Sequence, residues 1–300
     1  MPEIPAGALA KLLKESAAAL AAERSEGRLK PGVKLAGLRS AELFRQGGLV
    51  FLPRHGRVIF FGDVHGDLYA LEDLLKATRF EEKAGKGRVF LVGLGDYVDR
   101  GPDGVGVMVR LLGLRKKFGP RVVLVRGDHE NVGVNEAYGF ADELRLRYGK
   151  AWRQVMGAFR GLYSSLPHVV VTGNGIVAVH GGVPEGVNGL SGLAYASGDA
   201  LTQILWNDSG EKVAGFAPNW QRGGDGIKLF GKKALEDFLD SIGARVLVRA
   251  HEWDKSGETM WGRLATVFST DYGGRARRVY AEADLETRIR NARDLAVKDF

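Results

Sequence analysis

FFGDVHGD, Phe60 to Asp67, ends an apolar run that begins at Val58 and opens onto LYALEDLLKA, where Leu71, Leu74 and Leu75 recur at helical spacing. The run reads as a buried strand, and Gly62 and Gly66 break the chain between strand and helix. Asp63 and His65 therefore fall on a strand-to-helix turn. Two residues apart on extended backbone, their side chains can point to one side, and a carboxylate beside an imidazole is a ligand pair for a borderline divalent metal. A hydrogen-bonded turn has the same residues, so the rest of the chain has to decide.

Outward from this stretch the arrangement returns twice. Strand RVFLVG (Arg88 to Gly93) leads into GDYVDRG, and RVVLVRG (Arg121 to Gly127) leads into GDHE. Helices are expected at 67–78, around 103–117 and in two stretches between about 134 and 165. Alternating strands and helices with near-continuous apolar strands indicate a parallel sheet covered by helices, and such sheets carry their sites at the carboxyl ends of the strands.

The second half is richer in strands: VVVTG (Val169 to Gly173), GIVAVHGG (Gly175 to Gly182), IKLF (Ile227 to Phe230), RVLVRAHE (Arg245 to Glu252), LATVFS (Leu264 to Ser269) and RRVYAEA (Arg277 to Ala283). Helices are expected near 199–206 and 231–241. Upstream, LVFLP (Leu49 to Pro53) and RVIFFG (Arg57 to Gly62) flank Arg54, His55 and Gly56, which suggests a short hairpin. Residues 6–24 carry Leu9, Leu12, Leu13 and Leu20 at amphipathic spacing. We expect one domain over 49–284 whose two halves supply two packed sheets, a helical accessory segment over 1–48 and a charged helical tail over 285–300.

Composition narrows the chemistry. The 300 residues are 45% hydrophobic, enough for a sizeable core, and contain no Cys, which excludes disulfides, thiolate zinc sites and a cysteine nucleophile. Any metal must be held by His, Asp, Glu or Asn. The net charge of +7 suits a phosphorylated substrate, but no aromatic-interleaved basic motif accompanies it, so a solvated basic surface is expected rather than nucleic-acid binding. Ala17 to Ala22 is too short for a secretory or membrane segment, and a cytoplasmic protein is expected. GIKLFGKK (Gly226 to Lys233) approaches a nucleotide P-loop but lacks the Ser or Thr after its lysine, which argues against ATP there.

The strand ends, taken in order, hold Asp63 and His65; Asp96, Asp99 and Arg100; Asp128, His129 and Glu130; His180; then Arg249 and His251. Four of the six His lie in these motifs, while His55 and His168 lack acidic or glycine-rich context, and His168 reads as structural. Carboxylates and imidazoles converging on one sheet edge conflict electrostatically unless cations sit between them. Six or more ligands with a central aspartate able to bridge form the inventory of a two-metal site, with ions roughly 3.5–4 Å apart activating a hydroxide for in-line attack on phosphorus. Without thiolate, manganese, iron or zinc all fit.

GDVHG, GDYVDRG, GDHE, HGG and RAHE, in this order, resemble the signature blocks of the phosphoprotein phosphatase family of metallophosphoesterases, serine/threonine type, from about Gly62 to Gly274. The resemblance implies an α/β fold, a sandwich of two mixed β-sheets flanked by helices, and two divalent ions, manganese first. Asp63, His65 and Asp96 would hold one ion; Asp96 would bridge to a second completed by Asp128, His180 and His251. Arg100 and Arg222 would grip the phosphate, with Tyr272 near them, and His129, oriented by Asp99, would protonate the leaving alkoxide. Glu130 is expected to orient a ligand or loop, Arg249 to support the metal loop, Trp206 and Asp208 to serve as groove wall and loop support, and Trp220 and Trp253 to be core or substrate surface. The family's asparagine is replaced by Asp128, the segment after Arg222 is longer, and the one around Tyr272 is shorter and lacks a proline. The implied activity is hydrolysis of phosphoserine and phosphothreonine in proteins. The alternatives are a nucleotide polyphosphate hydrolase of the diadenosine tetraphosphate type, or an inactive basic scaffold; regulatory partners are not readable.

Overall fold

Ile59 and Phe61 face one way from their strand and Val58 and Phe60 the other, yet all four are buried. A strand covered on both faces needs apolar residues at every position, and that requirement builds the architecture. The computed structural model describes residues 4–25, 27–30, 32–38 and 42–300; positions 1–3, 26, 31 and 39–41 of the expected accessory segment lie outside the described residues.

The chain opens with helix α1 (Ala6–Ala22), then strands β1 (Phe44–Gln46), β2 (Leu49–Leu52) and β3 (Arg57–Phe61). Helices α2 (Leu68–Thr78) and α3 (Phe80–Lys86), strand β4 (Val89–Gly93), helix α4 (Gly104–Phe118) and strand β5 (Val122–Leu124) follow. Three helices, α5 (Val132–Tyr138), α6 (Phe140–Tyr148) and α7 (Trp152–Ser165), lead to β6 (Val169–Thr172) and β7 (Ile176–Ala178). Then come α8 (Gly189–Ala194), α9 (Gly198–Trp206), β8 (Asp208–Ser209), β9 (Phe216–Asn219), β10 (Gly224–Phe230) and α10 (Lys232–Ile242). Strands β11 (Val246–Arg249), β12 (Thr259–Met260), β13 (Leu264–Thr266), β14 (Val279–Asp284) and β15 (Ala296–Asp299) complete it.

One sheet runs β15-β14-β3-β4-β5 and the other β1-β2-β6-β7-β11-β13-β12. Val58, Phe60, Val92, Val170, Ile176 and Val248 pack between them as the sandwich interior. Ile59, Phe61 and Leu91 pack under α1, α2, α4 and α7, while Val177 and Leu247 pack under α8 and α10. Two mixed sheets flanked by helices are the expected class, with a small third sheet, β8-β10-β9, added beside them. In both sheets the site-bearing strands are parallel: β3 with β4 and β5, and β7 with β11. Their carboxyl ends therefore gather at one edge. Asp67 and Asp103 cap the helices that leave that edge, accepting from Ala70 N at 2.9 Å and Gly106 N at 2.7 Å.

Four expectations are corrected. β2 and β3 are not a hairpin: β2 pairs with β6 and β3 with β4, in different sheets. The turn between them is held from outside, with Gly56 O accepting from Leu285 N and Gly56, at φ +91°, pressed against the Arg88 backbone. Residues 285–300 are not a helix. Leu285, Ile289, Ala292 and Leu295 have helical spacing but extend the sandwich interior from an irregular segment, and β15 covers the edge of β14. The sheets do not divide by halves either, because β2 joins the later strands and β14 and β15 join the earlier ones. Finally, the segment before 49 contributes an edge strand, since β1 pairs with β2 around a Gly47–Gly48 turn.

Arg45 on β1 is almost completely buried and donates to Leu20 O at 2.9 Å, Ser165 O at 2.7 Å and Gly47 O at 3.0 Å, tying α1 and α7 to the sheet. Burial pushes its guanidinium down to about 10, a cost its three carbonyl acceptors offset. No described helix is long and apolar enough to cross a membrane.

Candidate active site

Seven of the nine described non-glycine residues with positive φ are Asp63, His65, Asp96, Asp99, Arg100, His251 and Tyr272. Such backbone is uncommon for residues with a Cβ, and here it recurs at successive strand ends along one edge. The loops are also close-packed: a Cβ on Gly95 would collide with the Gly127 backbone, and one on Gly127 with Asp96. Glu130, fully buried, locks them, its Oε2 accepting from Asp96 N and Gly127 N at 2.8 Å each and its Oε1 from Tyr97 N at 3.0 Å. That is the orienting role expected for it.

Two groups of candidate ligand atoms share Asp96. The first joins Asp96, Asp128, His180 and His251. His180 Nε2 lies 2.7 Å from Asp128 Oδ1, 3.1 Å from His251 Nδ1 and 3.4 Å from Asp96 Oδ1. The second joins His65, Asp96 and His129, with His65 Nε2 3.3 Å from Asp96 Oδ2. Asp63, expected in this group, approaches His65 Nε2 through Oδ2 at 3.6 Å while its Oδ1 accepts from His251 N at 2.9 Å. His129 takes its place in the grouping.

These residues suit divalent cations by their own chemistry. His65 Nδ1 donates to Val98 O at 3.0 Å and His180 Nδ1 to Leu94 O at 2.8 Å, which turns both Nε2 lone pairs inward. His65 Nε2 is buried with no hydrogen-bond partner. Burial and the Asp128 charge push Asp96 well above the usual carboxylate range, whereas Asp128, despite its burial, is held well below it by His251 and His180. A cation between the groups would relieve the strain on Asp96, fill the orphaned nitrogen and keep every carboxylate ionised.

Beside the second group, Asp99 Oδ2 accepts from His129 Nδ1 at 2.7 Å. Burial alone would push His129 down, but the Asp96 charge and the Asp99 bond hold it up to about 9. Arg100 lies between the rings of Tyr138 and Tyr272, 5.4 and 5.5 Å from their centroids, and donates to Tyr272 Oη at 2.6 Å. Arg100 Nη2 also sits 3.1 Å from His129 Nε2, a contact that needs an accepting nitrogen there. Arg222 Nε donates to Asp208 Oδ2 at 2.6 Å, and Asp208 Oδ1 faces His251 Nε2 at 3.4 Å, which puts Arg222 on the far side of the same cluster. Arg249, fully buried, donates to Ala250 O at 2.7 Å and pairs with Glu252 under the His251 loop. The Trp206 ring approaches His251 edge-on at 6.0 Å. Trp220 is 74% and Trp253 41% exposed, so both are surface and neither is core. His168 is buried 2.7 Å from Leu193 O, as a structural histidine would be, and His55 is exposed beside Glu286.

The sequence reading missed what holds Asp99. Asn135, buried on α5, donates to Asp99 Oδ2 at 2.7 Å and to His129 O at 2.8 Å, and accepts from Tyr163 Oη of α7 at 3.1 Å. Phe140 N donates to the other Asp99 oxygen at 3.0 Å. A polar asparagine amid helical apolar residues, six after His129, is the only sequence signal, and it has no distinctive spacing.

The sequence profile of the calcineurin-like phosphoesterases matches residues 56–253. A probable serine/threonine-protein phosphatase of Encephalitozoon cuniculi is 30% identical over 236 residues, which cover 75% of this chain and 50% of that protein. The serine/threonine-protein phosphatase 4 catalytic subunit of Saccharomyces cerevisiae is 31% identical over 224 residues, covering 71% of this chain and 68% of that protein. The chain spans about half the length of the first curated relatives it matches. Among solved structures, a protein serine/threonine phosphatase from Saccharomyces cerevisiae with similarity to human phosphatase PP5 superposes with a TM-score of 0.79 at 23% identity, covering 99% of this chain and 90% of that one, a likeness of fold.

Proposed function

The chain belongs to the calcineurin-like phosphoesterases, in their serine/threonine phosphoprotein phosphatase branch, and on that premise we propose that it is a metal-dependent phosphomonoesterase acting on phosphoserine and phosphothreonine in proteins. Asp63, His65 and Asp96 would hold one divalent ion, and Asp96, Asp128, His180 and His251 the other, manganese being the first candidate. When bound, the pair supplies an activated water and neutralises charge on the phosphate.

The remaining work falls to this chain's own residues. Arg100, fixed between two tyrosine rings, and Arg222, aimed by Asp208, present guanidinium donors to the phosphate oxygens. A phosphate entering beside Arg100 takes the donor that now faces His129 Nε2, and the imidazole, held through Nδ1 by Asp99, is then free to carry a proton on Nε2 toward the leaving oxygen. Asp99 keeps the proton-carrying ring in place and does not itself transfer it.

The observation that carries the reading is the buried Asp99–His129 pair beside an anion-gripping arginine. An alkoxide leaves poorly without a proton, so a positioned acid next to a phosphate site suits serine and threonine esters. A cytoplasmic location is part of the proposal. The test is phosphate release by the manganese-reconstituted protein from a phosphothreonine peptide, beside diadenosine tetraphosphate at equal concentration. Faster release from the peptide is expected; preference for the dinucleotide would overturn the substrate assignment and leave the metal chemistry standing.

A further inference from the structure

We propose that an arginine-lined cavity at the opposite edge of the sandwich from the ligand cluster binds a small, multiply charged phosphate-bearing anion. The cavity, about 530 Å³, falls within the usual size of small-molecule sites. Arg54, Arg245 and Arg288 line it from three separate segments: the β2–β3 crossing, the start of β11, and the loop after β14. No carboxylate is among its described lining residues. Among the described residues neither Arg245 nor Arg288 forms an ion pair, and the Arg54 side chain donates to Glu286 O alone, at 3.3 Å. The Glu286 carboxylate is turned away to His55 at 2.9 Å. The three guanidinium groups line one concavity while staying open to solvent, and their forked donors match phosphate oxygens.

The cradle is built rather than incidental. Asn174, buried at the β6–β7 turn, donates to Asp284 O and Thr287 O at 3.0 Å each, and Asn174 O accepts from Ile289 N, so the Arg288 loop is pinned to that turn. Arg245 N donates to Gly175 O at 2.7 Å, which fixes the start of β11 to the same turn. Gly173, Gly175 and Gly243 contribute lining without side chains, Gly175 at φ +110° and Gly243 at φ +75°. His251 follows the carboxyl end of β11 and Arg245 precedes its amino end, a separation of about 20 Å at the rise of extended chain. An anion here does not touch the metal-side residues.

The test titrates the metal-loaded protein with inorganic tripolyphosphate by calorimetry, at fixed free metal and with metal content checked afterwards. We expect two classes of bound anion, one of which is lost or weakened about tenfold or more by Arg245→Glu with Arg288→Glu, while hydrolysis of an aryl phosphate is unchanged. A charge-matched control, Arg153→Glu with Arg160→Glu on exposed positions of α7, is expected to leave both classes in place. Wild-type binding in the first double variant would overturn the proposal, and so would equal loss in the control, because the attraction would then be net charge and not this cavity.

Discussion

On one side of Asp96 the ligand atoms already satisfy one another, and on the other they do not. His180 Nε2, His251 Nδ1 and Asp128 Oδ1 close on one another at 2.7–3.3 Å, contacts that call for a shared proton because His180 Nδ1 already donates to Leu94 O. Around His65 the approaches lengthen to 3.3 and 3.6 Å and the inward-facing Nε2 has no partner, whereas the unpartnered nitrogen on the other side, His251 Nε2, faces Asp208 and not the other three ligand candidates. A buried polar atom without a partner costs about 1–3 kcal/mol, so the His65 side is the more dependent on a cation for its order. The Asp128 side can keep its shape by sharing protons between imidazole and carboxylate.

The largest expected effect comes from removing the residue both sides share. Asp96→Asn should lower kcat by about 10³-fold or more and reduce the metal retained after dialysis, measured by elemental analysis. Full metal content with normal turnover would end the two-group description. Next, His129→Asn should slow alkyl phosphates by about 10²-fold or more and aryl phosphates much less, because an aryl oxide leaves without help. Asn135→Ala should reproduce the same leaving-group pattern at roughly a tenth of the size, since it removes donors to Asp99 and to His129 O without touching substrate. Equal losses on both ester types would assign Asn135 to stability alone. Smallest of all, Asp128→Asn should change kcat by no more than about threefold and lower KM, because an oxygen ligand remains while a negative charge facing the phosphate is gone. The asymmetry between the sides predicts that its metal loss is also modest.

The site was more legible than the fold's edges, and for physical reasons. The candidate ligands sit at strand ends, where Gly62, Gly95 and Gly181 and the acidic residues beside them break apolar runs, so each carries a local mark in the sequence. The spacing of Asp63 and His65 marks them as partners, whereas the second contact of Asp63, the His251 backbone 188 residues away, has no local mark. Asn135 and Tyr163 were invisible for the same cause: they act through tertiary hydrogen bonds between helices. The β2–β3 crossing looked like a hairpin because a three-residue turn serves either purpose, and only the partner strands, Val169–Thr172 and Val89–Gly93, distinguish them. Residues 285–300 misled because Leu285, Ile289, Ala292 and Leu295 carry a helical interval in a segment whose hydrogen bonds go elsewhere.

Arg45 has a consequence in time. Its carbonyl acceptor on α7 belongs to Ser165, 120 residues further along. At roughly 5–20 residues per second of synthesis, some 6–24 s separate the making of the charge from the making of its acceptor. Through that interval Leu9, Leu13 and Leu20 of α1 have no α7 to lie against, so a helix made well before α7 waits for it to be buried.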